Sequence, residues 1–453
     1  MVGASFGFVQ NAGAQNLPSN PQLTFGLSSG VYWYDNFDLD VDTLGDSFRQ
    51  RNIFSVNYLT ETPTDTLGLS ASTDLRYSDL AGRETSFEFE DPSAALSYDR
   101  VTANADLGVN LRFDRIEVSQ SEGFDLDDAG LPGQDLVRDQ GNRDILNLVV
   151  NGEFGKQDPF GGFFSGRYTD RSFSDTTDPD LFDSETRFLQ GGLRFRVSPA
   201  VEVNAFGSAS LFEADDSTSS ETERYTLGVG ADLRVRSDTT VNLSLANVDI
   251  TETDTIGTTE IEEEENDFEV AAGWQRDVTN GTLSLNYTRS VAIEGARDAL
   301  TFGRNLTLPS GSFGLTLGAS NTAGDEIFAV GAVDYIRTLQ DSELLFRLSQ
   351  DVRTTDDSDE VLTTNLDLGY SRNLNQVSSF RANVRVSEVT DTGVDTQDDR
   401  TFASLVLRYT RELTADWGLT LGYEARSDRE DDEDRATSNS VFLTLDRVWR
   451  VSP

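Results

Sequence analysis

The chain has 453 residues, 36 basic against 79 acidic side chains, a net charge of −43, and neither cysteine nor histidine. Those two absences exclude thiolate nucleophiles, disulfides, Cys-type zinc sites, Ser-His-Asp triads and His-bearing catalytic metals. The acidic balance excludes a nucleic-acid partner, which needs clustered Lys and Arg, and 28 Phe, 12 Tyr and 4 Trp exclude wholesale disorder.

In chain order, residues 1–14 (MVGASFGFVQNAGA) read as the remnant of an export signal. A short apolar stretch, Val2 to Val9, precedes the small-x-small pattern Ala12-Gly13-Ala14. Residues 15–21 form a periplasmic lead-in. From Gln22 the signal is alternation with period two. Ala105, Leu107, Val109, Leu111 and Phe113 fall on one face, and Asp106, Gly108, Asn110 and Arg112 on the other. The pattern returns at 193–197, 233–236, 241–245, 283–287, 313–317, 344–348, 380–386, 405–409 and 419–423. No stretch keeps helical spacing, and none reaches about 18 apolar residues. The chain is all-β.

The connections alternate in kind. Tight-turn signals such as Pro63-Thr64-Asp65, Ser198-Pro199-Ala200, Asn280-Gly281 and Pro309-Ser310-Gly311 alternate with longer polar segments. The long ones include 35–46, 119–143, 171–185, 251–266, 388–400 and 427–438. Ten tight hairpins plus a leading and a closing strand predict about 22 strands, within a range of 20 to 24. A transmembrane β-strand needs about 9–11 residues, which leaves roughly ten for each connection. Closure removes the edges that an open sheet of this size would expose. Lipid outside and water inside then satisfy both faces, so the expectation is one closed antiparallel transmembrane β-barrel over 22–453. Trp33, Trp274, Trp417 and Trp449 fall at predicted strand ends, where interfacial aromatic girdles form.

Residues 22–453 resemble a Gram-negative outer-membrane β-barrel. The last strand, Ser440 to Trp449, resembles the C-terminal signal that barrel-assembly machinery recognises, although the chain ends in Arg450-Val451-Ser452-Pro453 and not in an aromatic residue. That resemblance implies an outer-membrane location, with lipid, lipopolysaccharide and the assembly machinery as partners. By composition the chain is also similar to alphaproteobacterial barrels of exopolysaccharide-export gene sets. Barrel-borne hydrolases of this class use a histidine base, so no enzyme is expected. Plugged energy-coupled receptors usually have 22 strands but carry a plug domain before the barrel. With the first strand at Gln22, the expectation is a barrel without a plug, its lumen open or narrowed by an inward loop such as Ser119–Arg143.

These readings predict a passive, water-filled, porin-like channel. The alternatives are an exopolysaccharide conduit partnered by export components and a structural or adhesive surface barrel. The expected lumen lining is Asp106, Arg112, Arg194, Arg196, Asp232, Arg234, Arg236, Arg347, Arg385 and Arg408. No cofactor is expected. Glu262, Glu263, Glu264, Asp431 and Asp432 are weak candidates for loosely bound surface Ca²⁺ or Mg²⁺. Asp38-Leu39-Asp40-Val41-Asp42 resembles the start of a calcium loop. It has Thr43 where an EF-hand needs Gly and Arg49 where it needs Glu.

Overall fold

The structure, a computed structural model, describes residues 21–118, 141–176, 181–215, 219–322, 326–354, 360–392, 399–430 and 434–451. The signal and lead-in readings for residues 1–20 lie outside these. The first strands are β1 (Gln22–Tyr34), β2 (Ser47–Glu61), β3 (Asp65–Asp79), β4 (Ser86–Val101), β5 (Ala105–Glu117), β6 (Asn142–Phe154) and β7 (Phe160–Ser174). Then come β8 (Ser184–Ser198), β9 (Val201–Ala214), β10 (Ser220–Arg236), β11 (Thr239–Ile256), β12 (Thr259–Val278), β13 (Gly281–Ala292) and β14 (Gly295–Leu308). The last are β15 (Gly311–Asn321), β16 (Ile327–Thr338), β17 (Ser342–Thr354), β18 (Glu360–Asn375), β19 (Ser378–Asp391), β20 (Arg400–Glu412), β21 (Trp417–Glu430) and β22 (Ala436–Val451).

Each strand pairs antiparallel with its chain neighbours, and β1 pairs with both β2 and β22 to close a 22-stranded barrel. Both described ends of the chain lie at the tight-turn end, where Leu23 sits opposite Val451. Short turns face the periplasm in barrels of this kind, so the long connections mark the outer end.

Register fixes which face meets lipid. On β1 and its neighbours, Leu27 is opposite Phe54 and Arg447, and Val31 is opposite Gln50 and Leu443. Further round the wall, Leu227 and Leu317 are 73% and 57% exposed on the apolar face. A protein core would bury such residues, whereas lipid covers them here. The alternate positions carry Ser, Asn, Asp, Arg and Gly. Turn chemistry sets the register at the short end. Gly281 has φ +136°, and a Cβ there would meet the Asn305 carbonyl oxygen at 1.9 Å, so only glycine fits.

One predicted connection is corrected. Residues 251–266 do not form a long loop, because β11 and β12 run on to a two-residue turn at Gly257-Thr258. Gly257 supplies the positive φ of +68° that the turn requires. Above the membrane both faces of a hairpin meet water, so the apolar alternation disappears while backbone pairing continues. Glu260 to Glu265 therefore lie on a strand, with Glu263 directly opposite Glu252.

Leu245 sits near mid-height on the lipid face of β11, opposite Val229 and Val270. Leu245→Arg should destabilise the folded barrel in vesicles by about 2–4 kcal/mol. Ser244→Arg, one residue away on the other face, should cost far less. Urea titration of tryptophan emission checks the pair; equal costs would mean the faces are assigned the wrong way round.

Candidate functional site at the loop end of the lumen

Strands β2 and β3 carry four charged side chains on their lumen face near the loop end. Arg49 stands opposite Tyr32 and Ser78, and Arg51 stands opposite Arg76. Two guanidiniums directly opposite each other would repel. Carboxylates separate them. Asp74 lies 2.6 Å from Arg51 Nε and 3.2 Å from Arg76 Nε. Asp91 lies 3.0 Å from Arg51 Nη2 and also pairs with Arg76. Glu117 lies 2.9 Å from Arg49 and 2.8 Å from Arg76. The β3–β4 register shifts between Ser72 and Asp74, and opposite that shift Asp91 adopts φ +45°. The bulge is what re-aims the Asp91 carboxylate into the network. Arg49, Asp74 and Arg76 are each no more than 3% exposed.

The first long connection, residues 35–46, packs onto this network from inside the barrel. The Arg49 guanidinium lies 4.3 Å from the centre of the Phe37 ring. Phe37 also meets Tyr34 edge-on at 5.0 Å and packs with Leu80. Its carbonyl accepts a hydrogen bond from Arg426 of β21 at 3.1 Å. Asn36 Nδ2 donates to the carbonyls of Asp40 at 2.7 Å and of Thr437 on β22 at 2.9 Å. Leu39, at φ +57°, packs on Phe402 and Ala436. Asp38 pairs with Arg83. Burial pushes the Asp38 carboxyl above its ordinary value, and the Arg83 guanidinium pulls part of the way back. This connection thus spans the lumen wall from β3 across β1 to β20. Beside the network, against β4, lies a cavity of about 160 Å³ lined by Arg49, Arg76, Arg83, Glu88, Glu90 and Glu117.

A second element bends inward. The tip of the β13–β14 hairpin packs Val291 against Val248 and Ile250 of β11, with Ile293 beside them. Arg224 of β10 donates to the Val291 carbonyl at 2.7 Å and pairs with Glu269 at 2.5 Å. On the other side Arg297 reaches to 3.8 Å from Glu360 of β18. Both inward elements narrow the mouth. The segment 119–140, named above for that role, lies outside the described residues.

Nine of the ten residues expected to line the lumen lie on the face opposite the exposed apolar side chains; Arg236 is corrected to the outer face, because the register shift on β10 brings it opposite Thr239, whose other neighbour is the outward Arg276. They do not converge; most are paired along the wall. Asp106 pairs with Lys156, and Arg112 with Asp114. Arg194 meets Glu153 at 2.5 Å and Arg196 meets Glu202 at 3.3 Å. Arg347 meets Asp334 at 3.4 Å and Arg385 meets Asp367 at 3.1 Å. Arg408 lies over the Phe442 ring. Asp232 stands opposite Asn242 and Glu202, while Arg234 and Arg236 flank a register shift on β10. Trp33 is half exposed beside Phe48, and Trp274 stands between Val241 and Leu285. Trp417 and Trp449 lie near the turn end of β21 and β22.

Glu262 and Glu264 share one face of β12 and Glu263 takes the other, so the three do not converge on one ion. Among the described residues no group of three or more His, Cys, Asp or Glu could hold a metal. Asp431 and Asp432 lie outside the described residues. The residues that sequence reasoning missed are Arg49, Arg51, Asp74, Arg76, Asp91 and Glu117. Their signal was Arg-x-Arg and Asp-x-Arg at strand spacing, which puts each pair on one face.

Removing one partner of a buried ion network leaves the others uncompensated, at a cost of about 3–5 kcal/mol. Arg76→Met should therefore release residues 35–46 to added protease while the barrel stays folded on a gel. Asp38→Asn should leave them docked, because partial burial already works against the Asp38 charge. The same sign makes docking strengthen as pH falls from neutral through the raised Asp38 value. Release on mild acidification would contradict this.

No protein-family model matches the sequence, and no curated protein matches it. Solved structures do match in fold. The open form of the ferric-catecholate import receptor Fiu from E. coli K12 aligns with a TM-score of 0.60 at 10% identity, over 96% of this chain and 82% of that one. The FrpB iron transporter from Neisseria meningitidis aligns at 0.59 and 9% identity, over 96% and 82%. The copper transporter OprC aligns at 0.54 and 10% identity, over 95% and 80%. These matches correct the passive porin-like channel expected from the sequence. The matched barrels are import receptors and transporters, not porins, and 22-stranded outer-membrane transporters have a plugged lumen. Neither the export conduit nor the adhesive barrel fits them better. The error lay in taking arginine-rich lumen walls as the lining of a conducting path, when most of those arginines are locally neutralised.

Proposed function

We propose that this chain, a Gram-negative outer-membrane β-barrel, forms the wall of a receptor-type importer for a metal chelate. The observation that carries the reading is a closed 22-strand barrel whose outer mouth is narrowed by residues 35–46 and by the β13–β14 tip. The buried network holds that connection across the wall. A receptor needs such a rigid frame to position a binding surface. Among the described residues no separate folded unit fills the lumen, so the inward connections supply the narrowing seen.

Composition bears on the cargo. With no cysteine, no histidine and methionine only at position 1, the chain has no soft donors for direct capture of a copper-type ion. A chelate that brings its own donor atoms suits such a wall better. The docked segment presents Val41 and Leu44 to the mouth, while the buried Phe37 and Arg49 beneath it hold that surface in place.

The purified barrel in detergent should show saturable quenching of tryptophan emission with at least one ferric chelate from a catecholate, hydroxamate and carboxylate panel. Phe37→Ala should weaken that binding while leaving heat-modifiable migration intact. Absence of saturable binding across the whole panel would overturn the proposal.

A further inference from the structure

The outer face near the turn end carries a repeat that the importer reading does not use. An aromatic residue is followed two positions later by arginine at Tyr98/Arg100, Trp274/Arg276, Phe302/Arg304, Tyr335/Arg337, Tyr370/Arg372 and Tyr409/Arg411. Each arginine falls within the last five residues of an even-numbered strand, where the chain runs down to a short turn. Spacing by two puts ring and guanidinium on the same face. That face is the lipid-facing one. Arg337 stands opposite Leu344, Arg372 opposite Phe380, and Arg411 opposite Leu419. On β22 Arg447 occupies the equivalent height, 4.9 Å from the Trp417 ring and 4.6 Å from the Trp449 ring.

The repeat is lopsided. From β12 to β22 every even strand contributes one outward arginine near its end. On β6 and β8 the corresponding outward positions are Phe154, Phe195 and Val197, whereas on β10 the register shift brings Arg236 opposite Thr239, on the same outer face as Arg276. In a chain of net charge −43 these outward cations lie together on one arc. Arg100 lies 3.9 Å from Asp65 and Arg276 lies 3.1 Å from Asp238. Among the described residues no carboxylate pairs with Arg304, Arg337, Arg372, Arg411 or Arg447.

We infer that this arc binds anionic phospholipid headgroups of the periplasmic leaflet. A planar guanidinium matches phosphate oxygens in two-point hydrogen bonding, and the ring two residues above it sits at the level where acyl chain meets headgroup. Arginine at mid-bilayer would be costly, but at the interface its stem lies along lipid while its head reaches the phosphates. The other arc, with Phe and Val at that height, has no cation to hold them. Charge complementarity selects phosphatidylglycerol-type or cardiolipin-type lipid over zwitterionic lipid. The turn-end position selects phospholipid over the lipopolysaccharide of the opposite leaflet.

The test compares lipid retained by the purified full chain after exchange into micelles holding equal phosphatidylglycerol and phosphatidylcholine. Wild type should retain the anionic lipid preferentially. Arg337→Ser, Arg372→Ser and Arg411→Ser combined should bring retention toward parity, with about fivefold weaker preference per arginine removed. The double variant Arg347→Ser, Arg385→Ser loses two lumen-face cations and should keep the wild-type preference. Heat-modifiable migration verifies that each variant is folded; if the triple variant is not, Arg372→Gln alone should lower the preference about fivefold. Parity in wild type, undiminished preference in the folded variants, or equal loss in the lumen-face control would overturn the inference. So would preferential capture of lipopolysaccharide or of a second copy of the chain through this arc.

Discussion

The requirement on which everything else rests is that backbone amides and carbonyls in lipid have no water to bond. Each unsatisfied group would cost several kcal/mol, so a sheet in hydrocarbon must close on itself. The β1–β22 ladder, running from Leu23–Val451 to Tyr34–Ser440, is where that demand is met. Closure dictates that side chains alternate strictly between lipid and lumen. It therefore separates Leu, Val and Phe on one side from Arg, Asp, Asn and Ser on the other. With no protein core to build, the chain can carry a quarter of its residues as charges. Half of each strand is free to be polar.

Within that frame the buried charges of β2, β3, β4 and β5 follow different rules from those of the lower lumen. Along most of the wall, pairs such as Arg385–Asp367 are nearly half exposed and contribute little each. At the loop end Arg49, Arg76 and Asp74 are almost wholly covered, and each guanidinium has more than one carboxylate or ring against it. Such a network is poor evidence of stability, since an apolar replacement of equal volume can serve as well. Its effect is positional. It fixes the surface on which Phe37 and the rest of that connection lie.

The period-two pattern made the barrel legible because it is a local property: Ala105 to Phe113 reads as a two-faced strand without knowledge of any partner. The number of strands followed from alternating short and long connections. Two features were not legible. The β11–β12 hairpin continues past the membrane, where water wets both faces and Glu260 to Glu265 look like a solvated loop. The packing of residues 35–46 depends on partners far away in sequence. Phe37 needs Arg49, Leu80 and Arg426 at once, and no local pattern encodes that meeting. The candidate site was thus mostly hidden, although Arg49-x-Arg51 and Asp74-x-Arg76 marked the right faces.

The position of residues 35–46 relative to the seam has a consequence for how the molecule is completed. Asp35 accepts hydrogen bonds from the Asn439 backbone amide at 2.6 Å and from its side chain at 2.7 Å, across 404 residues of chain. Asn36 bonds to Thr437 and Phe37 to Arg426, again from the last two strands. None of these partners is in place until β22 has met β1. The segment that shapes the outer mouth is also a clasp over the final joint, held by contacts that only a finished ring provides. A barrel halted with its seam open would leave that segment loose and the mouth unformed. Assembly and readiness to receive a ligand therefore arrive in the same event.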